Sequence, residues 1–123
     1  MSAAIDRLIT TKASGSRAPA ADDAEFFRRI HLDLAGNIPT ATQTRAFLGD
    51  KSADKRSRII DQLLASENFA EHWTDRLSVM LLERQQLSQV PHDEWRAYLK
   101  KSLQDQPRWN VLVGEMIAAT GKG

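Results

Sequence analysis

Asp22-Asp23-Ala24-Glu25-Phe26-Phe27-Arg28-Arg29-Ile30-His31-Leu32-Asp33-Leu34-Ala35-Gly36, running on into Asn37-Ile38-Pro39-Thr40, sets the kind of fold this chain adopts. Phe26, Phe27, Ile30 and Leu34 recur at i, i+1, i+4 and i+8, which places them on one side of a helix. Asp22 or Asp23 suits the N-cap, where a carboxylate accepts from a free backbone N–H. Gly36 is the expected stop, because a helix often ends on a left-handed residue that glycine adopts at little steric cost. Pro39 sets the chain direction beyond it, and Thr40 with Gln43 forms a capping box that opens a second helix. A turn this tight leaves backbone groups in need of partners. Asp33 and an arginine, Arg28 or Arg29, are the nearest candidates to supply them.

The same periodicity extends outward in both directions. Residues 3–11 read as a short helix with Ile5, Leu8 and Ile9 on one side, followed by a small-residue loop through Pro19. After Thr40, Ala41, Arg45, Phe47 and Leu48 make a short helix ended by Gly49. Ser52 or Asp54 starts the next, with Ile59, Ile60, Leu63 and Leu64 facing inward. Ser66 caps a long helix whose face carries Phe69, Trp73, Leu77, Met80 and Leu81. Pro91 breaks that pattern. Trp95, Leu99 and Leu103 follow at i+4 spacing, and beyond Pro107 come Trp109, Leu112, Val113, Met116 and Ile117, closed by Gly121. No segment alternates apolar and polar residues as a half-buried strand does. The expected fold class is therefore all-α: a compact bundle of about five main amphipathic helices plus one or two short ones. Residues 1–123 form a single helical domain, with 1–21 a short helix and loop and 22–121 the helical core.

Composition narrows the function classes. The 123 residues are enough for one domain, 41% hydrophobic and 27% charged, a globular balance. Absence of cysteine removes disulfides, zinc–thiolate sites, thiol nucleophiles and covalent haem attachment. The 17 basic and 16 acidic residues are evenly spread: five of each sign in 1–40, seven of each in 41–86, five basic and four acidic in 87–123. Nucleic-acid binding driven by counterion release needs a local basic excess, so no nucleic-acid partner is expected. No apolar run is long enough to span a membrane, so no membrane insertion is expected either. Met1 does not open a signal peptide.

Candidate chemistry is sparse. His31, His72 and His92 include no pair at i,i+4, so no metal site is expected. His72 has Glu71 beside it and Asp75 at i+3, which together can orient an imidazole for acid–base work. The plainer reading is a histidine on the polar flank of the long helix. Arg28, Arg29 and Asp33 form either a small anion site or a surface cluster serving the Gly36 turn. Trp73, Trp95 and Trp109 offer stacking surfaces, but each falls on an apolar stripe and reads as core. No nucleophile elbow or phosphate-binding glycine loop is present, so no cofactor is expected. The helix–Gly36–helix outline matches a helix-turn-helix, with Gln43, Thr44 and Arg45 as its only polar readers and no basic flank.

Three stretches carry a family resemblance. They are Asp23 through Thr40; Asp54-Lys55-Arg56 with Ile60-Asp61-Gln62-Leu63-Leu64-Ala65-Ser66 and Phe69-Ala70-Glu71-His72-Trp73; and Gln106-Pro107-Arg108-Trp109 through Ala119-Thr120-Gly121. Together they resemble the domain of unknown function found in large planctomycete cytochrome-associated proteins and their bacterial relatives. Asn110 departs from the pattern, which usually has Asp there. The resemblance implies an exported, multidomain setting, with this chain the N-terminal portion of something longer, and it brings no catalytic residues with it. The leading expectation is a non-catalytic helical module used in domain packing or protein-partner binding. The alternative is a hydrolase-like enzyme domain built around Arg28, Arg29, Asp33, His72 and Asp75 and completed by sequence further on. Helix-turn-helix DNA binding is the remote third.

Overall fold

A computed structural model describes residues 2–12, 19–82, 91–105 and 109–119. Pro107 and Gly121, named above as helix boundaries, lie outside them. The described residues form seven α-helices and no strand: α1 (Ser2–Lys12), α2 (Asp23–Ala35), α3 (Ala41–Gly49), α4 (Lys55–Leu64), α5 (Glu67–Leu82), α6 (His92–Gln104) and α7 (Trp109–Ala118). The all-α expectation holds.

Most helix ends are set by the side chains the sequence offers. Asp22 caps α2 by accepting from the Glu25 N–H at 2.8 Å, which leaves Asp23 free for another task. Gly36 ends α2 at φ 69°, with its N–H donated to the Leu32 carbonyl. At the start of α3, Thr40 accepts from the Gln43 N–H while Gln43 Oε1 accepts from the Thr40 N–H. Ser66 opens α5 by accepting from the Phe69 N–H at 3.1 Å. Pro91 before α6 and Asp54 before α4 are exceptions without a side-chain capping bond, and Asp54 pairs instead with Arg58, at 3.5 Å.

The Gly36 turn differs from expectation in one respect. Asp33 and Arg28 are exposed and make no hydrogen bond or ion pair among the described residues, and Arg29 pairs back to Glu25 at 2.5 Å. The turn needs neither. The glycine closure takes up the Gly36 N–H, the Thr40–Gln43 box takes up the Thr40 and Gln43 N–H groups, and His72 of α5 packs against the turn from outside. A Cβ placed on Gly36 would lie 2.2 Å from His72 Nδ1, so only glycine permits this approach.

Helices α2 and α5 are the hubs. α2 packs on α3, α4 and α5, while α5 packs on α2, α4 and α6. One half of the core is aromatic. Phe27 and Phe47 stack with centroids 4.3 Å apart, and Phe26 joins at 6.2 Å. The other half joins Ala70 and Leu77 of α5 to Leu99 and Leu103 of α6, with Phe69, Trp73, Trp95 and Met116 of α7 against them. Complete burial of a leucine such as Leu99 contributes about 2 kcal/mol.

Periodicity named the right helices but not always the right faces. On α2 the fully buried positions are Phe27, His31 and Ala35, while Phe26, Ile30 and Leu34 are half-buried. On α5 the buried stripe is Ala70, Thr74, Leu77 and Ser78, and Met80 and Leu81 face outward. Trp73 and Trp95 are half-buried as core residues, but Trp109 is 55% exposed and its core assignment fails. On α7 only Leu112 is buried, with Met116 half-buried. Ile5, Leu8 and Ile9 of α1 are exposed.

The α5 stripe leaves a mark that can be measured. Thr74 is 1% exposed, yet its hydroxyl and that of Ser78 have no hydrogen-bond partner among the described residues. A buried hydroxyl without a partner costs about 1–3 kcal/mol. Replacing Thr74 by near-isosteric valine is therefore expected to stabilise the protein by about 1 kcal/mol in urea unfolding. A loss of similar size would mean that the hydroxyl is bonded in solution.

Candidate functional surfaces

Most charged side chains at helix contacts tie helices together. Asp23, released from capping, accepts from Arg56 Nε at 2.8 Å and pairs with Lys55 Nζ at 2.6 Å, which fastens the start of α2 to the start of α4. Arg56 also donates to the Ala21 carbonyl at 3.0 Å, and Lys55 to the Asp50 carbonyl at 2.9 Å. Both cations lie over rings of the aromatic half-core: the Arg56 guanidinium is 4.6 Å from the Phe26 centroid, and Lys55 Nζ is 5.0 Å from that of Phe47. Hydrogen bonds from Lys55 and then Arg56 hold the Asp23 carboxyl below its usual range. Asp50 is lowered in the same way, by Ser52 first and by Arg58.

A second set of ties joins α5 to α6. Glu71 and Glu67 both take Lys100, whose pKa they raise, while Arg96 meets Asp75 and lies 3.8 Å from Glu71. These contacts bear directly on the sequence-derived candidates. Asp75 and Glu71 face α6 through Arg96 and Lys100, and neither is hydrogen-bonded to His72. His72 sits over Gly36, with Nε2 buried and unpartnered among the described residues. Arg28, Arg29 and Asp33 remain on the exposed side of α2. The five candidates are not joined in a single hydrogen-bonded cluster, and no group of three or more His, Asp or Glu suited to a metal occurs among the described residues. Of the helix-turn-helix readers, Gln43 is used in the cap, and the Thr44 hydroxyl donates to the Thr40 carbonyl.

Two concave surfaces among the described residues bear on function, and helical periodicity points to neither. One is a mixed cleft between α2, α3 and α4 of about 320 Å3, with polar walls from His31, Gln43, Asp50, Arg58 and Gln62 and apolar walls from Phe27, Phe47 and Ile59. The other is an apolar groove of about 500 Å3 where Leu81 and Leu82 of α5 meet Trp95 and Tyr98 of α6 and Met116 of α7. On the same helices, α5 and α7, Val79, Met80, Trp109, Val113 and Ile117 are exposed, Ile117 at 82%. The helical spacing of Trp109, Val113 and Ile117 is visible in the sequence, where it reads as a core stripe, and their exposure corrects that.

Such an assembly of short capped helices, cross-tied by ion pairs and lacking a gathered catalytic constellation among its described residues, belongs to the class of small all-α modules. Its family follows from the family-model match: residues 4–122 fit PSCyt2, a protein family of unknown function (DUF1549), and the chain belongs to that family. The chain matches no curated protein and no solved structure. No helix among the described residues is long and apolar enough to cross a membrane.

The Asp23 tie has a pH signature. A carboxyl held below its unfolded value adds stability above that value, near 3.8, and loses it as pH falls through the folded pKa. Urea midpoints at pH 7 and pH 3 should therefore differ less for Asp23→Asn than for the parent protein, with the variant already weaker at pH 7. Equal acid losses in both proteins would show that Asp23 carries no such linkage.

Proposed function

We propose that this chain is a non-catalytic helical module that docks, through the apolar groove of α5, α6 and α7, onto another domain of its own protein or onto a protein partner. The observation that carries this is α7. Its sequence, Trp-Asn-Val-Leu-Val-Gly-Glu-Met-Ile-Ala, has one charged residue, Glu115. A helix apolar on nearly all sides is normally buried on nearly all sides. Here Leu112 and Met116 face the bundle, while Trp109, Val111, Val113 and Ile117 do not. Met80, at 65% exposed, and Val79 extend the same apolar character onto α5. Exposed apolar side chains on the helices that wall an aromatic-lined groove are characteristic of contact sites.

The enzyme reading has less support. Asp75 is engaged with Arg96 and Arg29 with Glu25, and His72 is packed against a backbone turn. The DNA-binding reading has less still, since two of its three readers hold the helix they would read from. An exported location remains what family membership suggests.

The docking role is tested by placing a photo-crosslinking residue at position 117 in the native host, with position 28 on α2 as control. A discrete adduct is expected at 117 and not at 28. Met80→Glu should abolish it while changing stability by no more than about 0.5 kcal/mol, as for an ordinary surface substitution. Absence of a discrete adduct at 117, or a large stability loss from Met80→Glu, contradicts the proposal.

A further inference from the structure

The mixed cleft between α2, α3 and α4 shares no lining residue with the proposed docking groove, and its chemistry is different. At about 320 Å3 it falls within the range of small-molecule sites, roughly 300–1,000 Å3. His31 forms part of its wall although only 4% exposed. Its Nδ1 lies 3.0 Å from the Phe27 carbonyl oxygen. A carbonyl only accepts, so Nδ1 carries the proton, and in the neutral ring Nε2 holds the lone pair. No described group donates to that nitrogen. The ring is held in place edge-on to Phe27, with centroids 4.4 Å apart.

The other walls have donors to spare. Gln43 Oε1 is occupied by Thr40, which leaves its amide N–H groups without an acceptor among the described residues. Gln62 is unpartnered at both ends among the described residues. Arg58 uses Nη2 toward Asp50 and Ser52 and Nε toward Asp54, leaving Nη1. Lys55, also in the wall, is committed to Asp23 and to the Phe47 and Asp50 carbonyls. Asp50 accepts twice from Ser52 on Oδ1 and once from Arg58 on Oδ2, so Oδ2 keeps one accepting position. Free N–H groups from Gln43, Gln62 and Arg58 therefore outnumber the free acceptors, Gln62 Oε1, His31 Nε2 and the remaining position on Asp50 Oδ2.

We propose that this cleft binds a small hydroxylated carboxylate. Its carboxylate accepts from Arg58 Nη1 and from the Gln43 and Gln62 amides, and a hydroxyl donates to His31 Nε2. A simple carboxylate leaves the histidine unanswered, and a neutral polyol brings no charge to the guanidinium. The proposal stands independently of the docking role.

D-Gluconate is the probe, with acetate and D-glucitol as the carboxylate-only and hydroxyl-only arms, each titrated while the His31 ring signals are followed by NMR. Gluconate should shift those signals saturably, with a Kd at least about tenfold below either control, since each control forgoes a set of hydrogen bonds. Gln62→Leu, at an exposed position, should leave the melting temperature unchanged and weaken gluconate binding about fivefold. The proposal is overturned if gluconate leaves the His31 signals in place, if either control matches it, or if Gln62→Leu binds equally well.

Discussion

The close approach of the Gly36 backbone to the His72 imidazole is the constraint on which the rest of this structure depends. It needs a residue that accepts φ 69° and has no side chain, because any Cβ would meet the ring well inside contact distance. The contact seats the end of α2 on α5. The other helices from α3 onward build on those two: α3 and α4 on α2, α6 on α5, and α7 through Met116 on the core that α5 and α6 share. A bundle of helices this short, ten to sixteen residues in α4 to α7, gains little from helix propensity alone. Its geometry must come from tertiary contacts, and this one admits a single residue type.

Around that contact the protein uses charge as fastening. Asp23 with Lys55 and Arg56 closes the α2–α4 corner over two phenylalanines, Phe26 and Phe47, and Lys100 and Arg96 bind the acidic side of α5 to α6. The near-neutral balance of the sequence thus has a structural counterpart, since opposite charges meet across helix pairs. What is left unpaired is informative for the same reason. The apolar outer side of α7 and the donor-rich cleft beside His31 are two places where side chains have unmet valences or uncovered surface, and they differ in chemistry.

Much of the fold was legible because helix ends are local. Asp22, Gly36, the Thr40–Gln43 box and Ser66 each act on backbone groups within four residues, so sequence order alone reveals them. Burial is not local. Thr74 and Ser78 are inside because α5 is covered along a stripe its own sequence does not single out, and Trp109 is outside because nothing described covers that side of α7. The Asp23–Arg56 bond spans 33 positions, and only the family-like Asp54-Lys55-Arg56 run hinted that those cations matter. The candidate site was the least legible part. His72 drew notice for its acidic neighbours, but those neighbours turn toward α6, and the imidazole serves a glycine turn.

The central claim is tested most directly by a double-mutant cycle between Gly36 and His72, read by urea unfolding. Gly36→Ala alone meets both the ring and the left-handed backbone. In the His72→Ala background only the backbone penalty remains, roughly 1–2 kcal/mol. The account predicts that Gly36→Ala is clearly more destabilising with His72 present, with a coupling of at least about 1 kcal/mol. An identical cost in both backgrounds would contradict it, placing the demand for glycine in the turn alone and leaving α2 and α5 held together by something else.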